Sequence, residues 1–287
     1  MSITKKTNNI LIFSLLLTTS LINYSNAQQI RMPSPSPLCE YKQTVGLTDI
    51  SIVYSRPGVK ERKIFGDLVP YGKLWRTGAN MATRITFSDN VRIEGQELAA
   101  GSYAFFTIPG ENEWTLIFNS VANQAGASEY DESLDALRVK VKPETLQRSM
   151  ESLVIGINGI RNDHAYLNLA WENTIVSAKI DVNTDAAVMA DIERAMDPAS
   201  EAGKYWAAAN YYFQTDRELS QALEWINKSI ELGNDQFWVV HVKARIQQKL
   251  GDCTGAITTA EASKKLAREA GNDDYIALND KLIASCK

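Results

Sequence analysis

The feature that most constrains this chain is a change of vocabulary near Val182. Before it come short runs rich in β-branched and aromatic residues: ISIVYS from Ile50, TRITFS from Thr83, VRIEG from Val91, SYAFFTIP from Ser102, WTLIFNS from Trp114, LRVKVK from Leu137, LVIGIN from Leu153, YLNLAW from Tyr166 and TIVSAKIDV from Thr174. Runs of this length, parted by turn residues, suit an antiparallel sandwich or barrel. After Val182 the chain turns to Ala, Glu, Lys and Leu at helical spacing. The expected fold class is therefore mainly β plus α: an antiparallel β-sandwich or barrel-like domain over 39–182, then a short α-helical domain.

Within the β-rich part, LRVKVK alternates Leu137, Val139 and Val141 with Arg138, Lys140 and Lys142, a strand with one face on the core and a basic, solvated face opposite. Ser88-Asp89-Asn90 and Pro109-Gly110-Glu111-Asn112 read as hairpin turns. The polar segment from Asn119 to Ser133 is longer than an ordinary connection and reads as a functional flap or an excursion.

The stretch from Ser55 to Phe87, SRPGVKERKIFGDLVPYGKLWRTGANMATRITF, is different in kind. Pro57, Gly58, Gly66, Pro70, Gly72 and Gly78 interrupt it so often that any strand inside must be short. Together with GQELAAGSYAFFTIPGENEWTLIFN after it, this stretch resembles the bacterial envelope family catalogued as domain of unknown function 2911. The resemblance rests on the ordered string SRP, IFG, VPYG, WRTGAN, AT and ITF, then AGSY, FTIP and W-x-L-I-F-N, and reaches about Val182. It implies a domain and names no activity. Where the family pattern carries a tryptophan before glycine, this chain has Ala125-Gly126.

In the second part, the first helix is expected over Thr184–Ala195, closed by Met196-Asp197-Pro198, as a connector over 183–200. QALEWINKSIELGND and GAITTAEASKKLAREAGND then superpose at an offset of 34 residues, with Ala222 on Ala256. That period, and Gly251-Asp252 ahead of the second helix, resemble the tetratricopeptide repeat, although Asp216-Arg217 stand where the preceding copy would carry Gly-Asp. Helix pairs are expected over 201–232 and 234–270, with a terminal helix to Ser285 as the cap. Such an array offers either a small concave surface for a protein or peptide partner or packing support for the sandwich.

The N-terminus has the three parts of an export signal over Met1–Ala27: Lys5 and Lys6, the apolar run from Ile10 to Leu17 with Leu21 and Ile22, and Ser25-Asn26-Ala27. Thr18, Thr19 and Ser20 interrupt the run, which argues against a spanning anchor. The mature chain is expected to begin at Gln28, to be periplasmic or extracellular, and to contain no membrane span. Residues 28–38, with PSPSPL from Pro33, read as a Pro/Ser-rich linker. A formal charge of −4 argues against a nucleic-acid partner, which calls for a basic patch.

Candidate chemistry is sparse. With two histidines, His164 and His241, in different parts of the chain, neither a metal site nor a cofactor is expected. No P-loop, G-x-G-x-x-G or G-x-S-x-G pattern stands in a strand-turn-helix setting. What remains is Arg56, Arg62, Tyr71, Trp75, Arg76 and Asn80, accompanied by Lys60, Lys63 and Arg84. Guanidinium forks suit carboxylate or phosphate and aromatic rings suit a sugar face, so these residues could hold a small anionic or glycan ligand, with Glu172 as a general base. Alternatively the arginines tie loops together and Trp75 is core. The expected role is a non-catalytic binding or scaffold module; the alternative is an enzyme acting on an anionic or glycan substrate at the WRTGAN loops.

An odd count of three cysteines leaves one over. Cys253 opens the last long helix and Cys286 closes the terminal helix returning beside it, so these two are expected to pair as a disulfide. A bridge there would stabilise the cap by about 3–4 kcal/mol. Cys39 is left as the free thiol.

Overall fold

The structure, a computed structural model, describes residues 31–197 and 200–287. The expected signal, the cleavage point before Gln28, and Pro198 lie outside the described residues. Ser36–Lys287 forms one compact unit holding both strands and helices.

Ten strands run in order: β1 Leu38–Val45, β2 Thr48–Ser55, β3 Thr83–Phe87, β4 Val91–Ile93, β5 Gln96–Leu98, β6 Gly101–Ile108, β7 Trp114–Asn119, β8 Asp135–Val141, β9 Pro143–Asn158 and β10 His164–Val182. One sheet has the order β1-β2-β3-β6-β7-β8 and the other β5-β4-β10-β9, every pairing antiparallel. The two sheets stay open and do not close into a barrel. Their inner faces follow from period-2 alternation: Ile50, Ile52 and Tyr54 of β2, Ile85 and Phe87 of β3, and Leu116 and Phe118 of β7 share one buried core with Ile155, Ile157, Leu167, Leu169 and Ile180 of the second sheet. In β8, Leu137, Val139 and Val141 face that core, while Arg138 pairs with Glu132 and Asp135, and Lys140 with Glu113.

Two strand expectations change. Pro109–Asn112 does turn β6 into β7, but Ser88-Asp89-Asn90 is no hairpin, because β3 and β4 belong to different sheets. Those residues carry the chain across the sandwich; short polar residues permit a sharp turn without setting where the next strand pairs. The runs YLNLAW and TIVSAKIDV are one strand, β10, interrupted at Trp171-Glu172-Asn173 by a bulge. There Glu172 takes φ +52°. Ala170 faces Val154 and Glu172 faces Met150, so β9 spends four steps where β10 spends two.

The helices are α1 Thr184–Ala195, α2 Ala202–Gln214, α3 Leu219–Glu231, α4 Phe237–Lys249, α5 Cys253–Glu269 and α6 Asp273–Ser285. α2 packs on α3, α4 on α5, and α6 on α5. Ala222 of α3 and Ala256 of α5, the two residues aligned by the repeat, are both fully buried at their helix contacts. The periodicity extends to buried polar groups: Ser229 Oγ donates to the Ala202 carbonyl at 2.7 Å, and Ser263 Oγ, one repeat later, donates to that of Phe237 at 2.7 Å. Neither sheet has a helix lying along it; α1 links the sandwich to the array, and Leu47, at the tip of the β1–β2 turn, reaches an apolar cleft of about 240 Å³ between α1 and α2. No helix among the described residues is long and apolar enough to cross a membrane.

Candidate functional site

The path of residues 56–82 follows from where β9 leaves β10. At its bulge β9 turns outward to a new neighbour: Val59 N–H donates to the Glu151 carbonyl at 2.7 Å and Leu153 N–H to that of Pro57 at 3.0 Å. The chain then dips into the core with Val59, Ile64, Phe65 and Val69, and pairs with the other sheet, where Trp75 and Thr107 exchange backbone bonds of 2.8 and 2.9 Å. The segment therefore joins the edge of β9 in one sheet to β6 in the other. Proline, glycine and short turns are needed because it changes direction at each contact. At Gly66, φ +86°, an added Cβ would lie 2.7 Å from the Tyr71 ring.

Under this bridge lies an aromatic cluster. Phe65 meets Trp75, Trp114 and Trp171 edge-on, with centroids 6.0, 4.8 and 6.2 Å apart, and Trp75 stacks on Trp171 at 5.7 Å. Trp75 Nε1 donates to the Gly78 carbonyl at 3.1 Å, so this ring is part of the packing and its polar edge is used.

The arginines do not converge. Arg56 Nε donates to the Leu153 carbonyl at 2.9 Å, tying β2 to the bulge of β9. Arg62 donates twice within its own turn, to Val59 at 2.9 Å and to Gly58 at 2.6 Å. Asn80, at φ +62°, donates to Ser55 Oγ at 3.1 Å. Arg84 points from the outer face of β3 to Asn123 Oδ1 at 2.9 Å. Tyr71 is exposed over Gly66, and Glu172 sits half-buried on the bulge beside Trp171. Arg76 differs: its Nε is buried without a hydrogen-bond partner, and its guanidinium lies beneath the 120–134 flap, where an added Cβ on Gly126 would stand 3.9 Å from Nη1. The departure to Ala125-Gly126 thus falls over Arg76.

The flap holds a polar network that the sequence reading did not single out. Asn119 and Gln124 are buried, and Gln124 Nε2 donates to Asn119 Oδ1 at 2.8 Å. Asp135 accepts from Asn119 Nδ2 at 2.9 Å, from the Tyr130 hydroxyl at 2.6 Å and from Arg138 at 3.0 Å. Burial, and then the bond to Asp135, push the Tyr130 phenol far above its ordinary range. With Phe106, Ile117, Ala104 and Ala82, the Tyr130 ring covers the outer face of the sheet. This explains why FFTI and LIFN read as continuously apolar: their strands are buried on both faces. The length of the flap was the one available signal. Among the described residues, no group of three or more His, Cys, Asp or Glu is placed to hold a metal ion.

In the helical part Cys253 and Cys286 come together as two thiols, with Sγ atoms 2.8 Å apart, and Cys39 lies far along the chain in β1.

Fold and loop together define a class: an open two-sheet sandwich sealed by a bridging segment rich in arginine and aromatic residues, with helical hairpins following it. Residues 36–180 match the model of a family described as a protein of unknown function, DUF2911, and the chain belongs to that family. No curated protein and no solved structure matches the chain.

Proposed function

We propose that the chain is a non-catalytic binding or scaffold module of the cell envelope, in which the sandwich is a rigid body and the helical repeats meet a protein or peptide partner. The observation that carries this reading is the commitment of Arg56, Arg62 and Asn80 to acceptors within the bridge and its neighbours, which leaves Arg76 as the one guanidinium of the expected set with an unused buried donor. A second support is that α2 to α6 are not spent on packing against the sheets.

Thermal melts with a panel of sugar phosphates and short glycans test the reading against an enzyme acting on an anionic or glycan substrate. Arg56→Leu and Arg62→Leu are expected to cost about 1 kcal/mol for each carbonyl left unpaired, and the parent protein to show no ligand-dependent shift. A rise in the parent's melting temperature that is lost in Arg76→Leu would overturn the bridge as a purely structural tie, and turnover of that ligand by the parent would overturn the module in favour of the enzyme.

Export belongs to the same proposal. Intact-mass measurement of the protein from an envelope fraction is expected to give a chain beginning at Gln28; a retained Met1 there contradicts it.

A further inference from the structure

At the C-terminal end of α6 the last helical hairpin is held by small side chains, whereas its start packs Tyr275 on Phe237 and His241. α6 sets Leu282 and Ile283 against Ala244, Ala256 and Ala260, with Ile257 and Cys286 at the margin. Alanine offers little apolar area, so each contact contributes less than a leucine or phenylalanine seam would. The polar fastening at the end of α6 is Gln248 Nε2 donating to Ser285 Oγ at 2.7 Å. Beside it stand the only two cysteines of the helical part, at the first residue of α5 and the C-cap of α6, both half-buried and with sulfurs 2.8 Å apart. The two sulfurs lie within 1 Å of the roughly 2.05 Å length of a disulfide bond.

We propose that Cys253 and Cys286 are a reversible dithiol–disulfide site, a redox latch that fixes the capping helix α6 to the start of α5. The reagent it takes is a disulfide-bearing thiol donor. Either thiol can open the exchange with the same balance, and Cys253 serves for the first step. Its thiolate displaces one thiolate from the donor disulfide and forms a mixed disulfide. Cys286 then gives up its proton to solvent, attacks the Cys253 sulfur and expels the second donor thiolate. One S–S bond forms in the protein and one is lost from the donor, which takes two electrons and two protons. Oxidation closes a loop of 33 residues that contains all of α5 and α6. The cap is then fastened covalently at its C-terminal end; reduction leaves that end to the alanine seam and the Gln248–Ser285 bond, while Asn279 and Tyr275 hold the first turns of α6 in either state.

The test uses the full chain, equilibrated with glutathione disulfide or with dithiothreitol, then denatured and alkylated for mass measurement. Three alkylated cysteines are expected after reduction and one, Cys39, after oxidation. Hydrogen exchange of α6 amides is expected to slow by up to about a hundred- to a thousand-fold on oxidation. Cys286→Ser should abolish that difference, and Cys39→Ser should preserve it. If Cys286→Ser does not fold, the mass count on the parent and on Cys39→Ser still decides. Three alkylated cysteines after glutathione disulfide, a bridge that includes Cys39, or α6 exchange indifferent to oxidation would each overturn the latch.

Discussion

His241 is almost fully buried in α4, where its Nδ1–H donates to Asn279 Oδ1 at 2.8 Å. The tautomer follows from the network: Asn279 uses its Nδ2 on Ser263 Oγ and on the Tyr275 carbonyl, so only its oxygen faces the imidazole. Burial, and less strongly Arg245, lower the pKa of His241. The unfolded imidazole takes a proton at about pH 6.5, while the folded one resists it, so stability present above that pH is lost as the pH falls further. The melting temperature is therefore expected to decline from pH 7 towards pH 5, and His241→Gln, which keeps a donor for Asn279, should remove that part of the decline. A pH series of melts on both proteins checks it. From sequence this histidine could be excluded from a metal cluster, but its partner could not be read, because Asn279 lies two helices away.

The elements show where the sequence is transparent. After Val182 the helical character and the bounds of α1 were legible, and the separate helices only as pairs; Ala222 and Ala256 both lie buried at helix contacts. β5, three residues with only Leu98 buried, carries too little pattern to see, and β1, most of it inside the domain expected from residue 39, has only Val45 fully buried and so shows no apolar run. The first half of β9 is invisible for another reason. Residues from Pro143 to Met150 pair with β10 but stay largely outside the core, so nothing forces apolar alternation on them. The candidate site was half legible: the composition of residues 55–87 marks an unusual loop, yet whether an arginine meets a ligand or the Leu153 carbonyl depends on a bulge encoded about a hundred residues later. That bulge yields its own prediction. Because Glu172 sits at φ +52°, Glu172→Val should cost about 1–2 kcal/mol and Glu172→Gln almost nothing, as read by urea unfolding.

At the scale of the molecule, the sandwich and the helical array meet through α1. Asp185, in the first turn of α1, accepts a forked pair of bonds from Arg217 and one from the Tyr211 hydroxyl at 2.8 Å. Arg217 holds the Asp185 carboxyl below its ordinary value, and burial followed by Asp185 pushes the Tyr211 phenol up to about 12. The tie is solvent-exposed, so Asp185→Ala is expected to cost no more than about 1 kcal/mol; its effect should show as a single calorimetric transition dividing into two. The bridge of residues 56–82 has a consequence for synthesis. Arg56 and its acceptor Leu153 are 97 positions apart, which at ribosomal speed is roughly 5–20 s of elongation. Throughout that interval a growing chain holds the Pro57–Val59 segment with no strand to join, so the sandwich is sealed only when its ninth strand has left the ribosome.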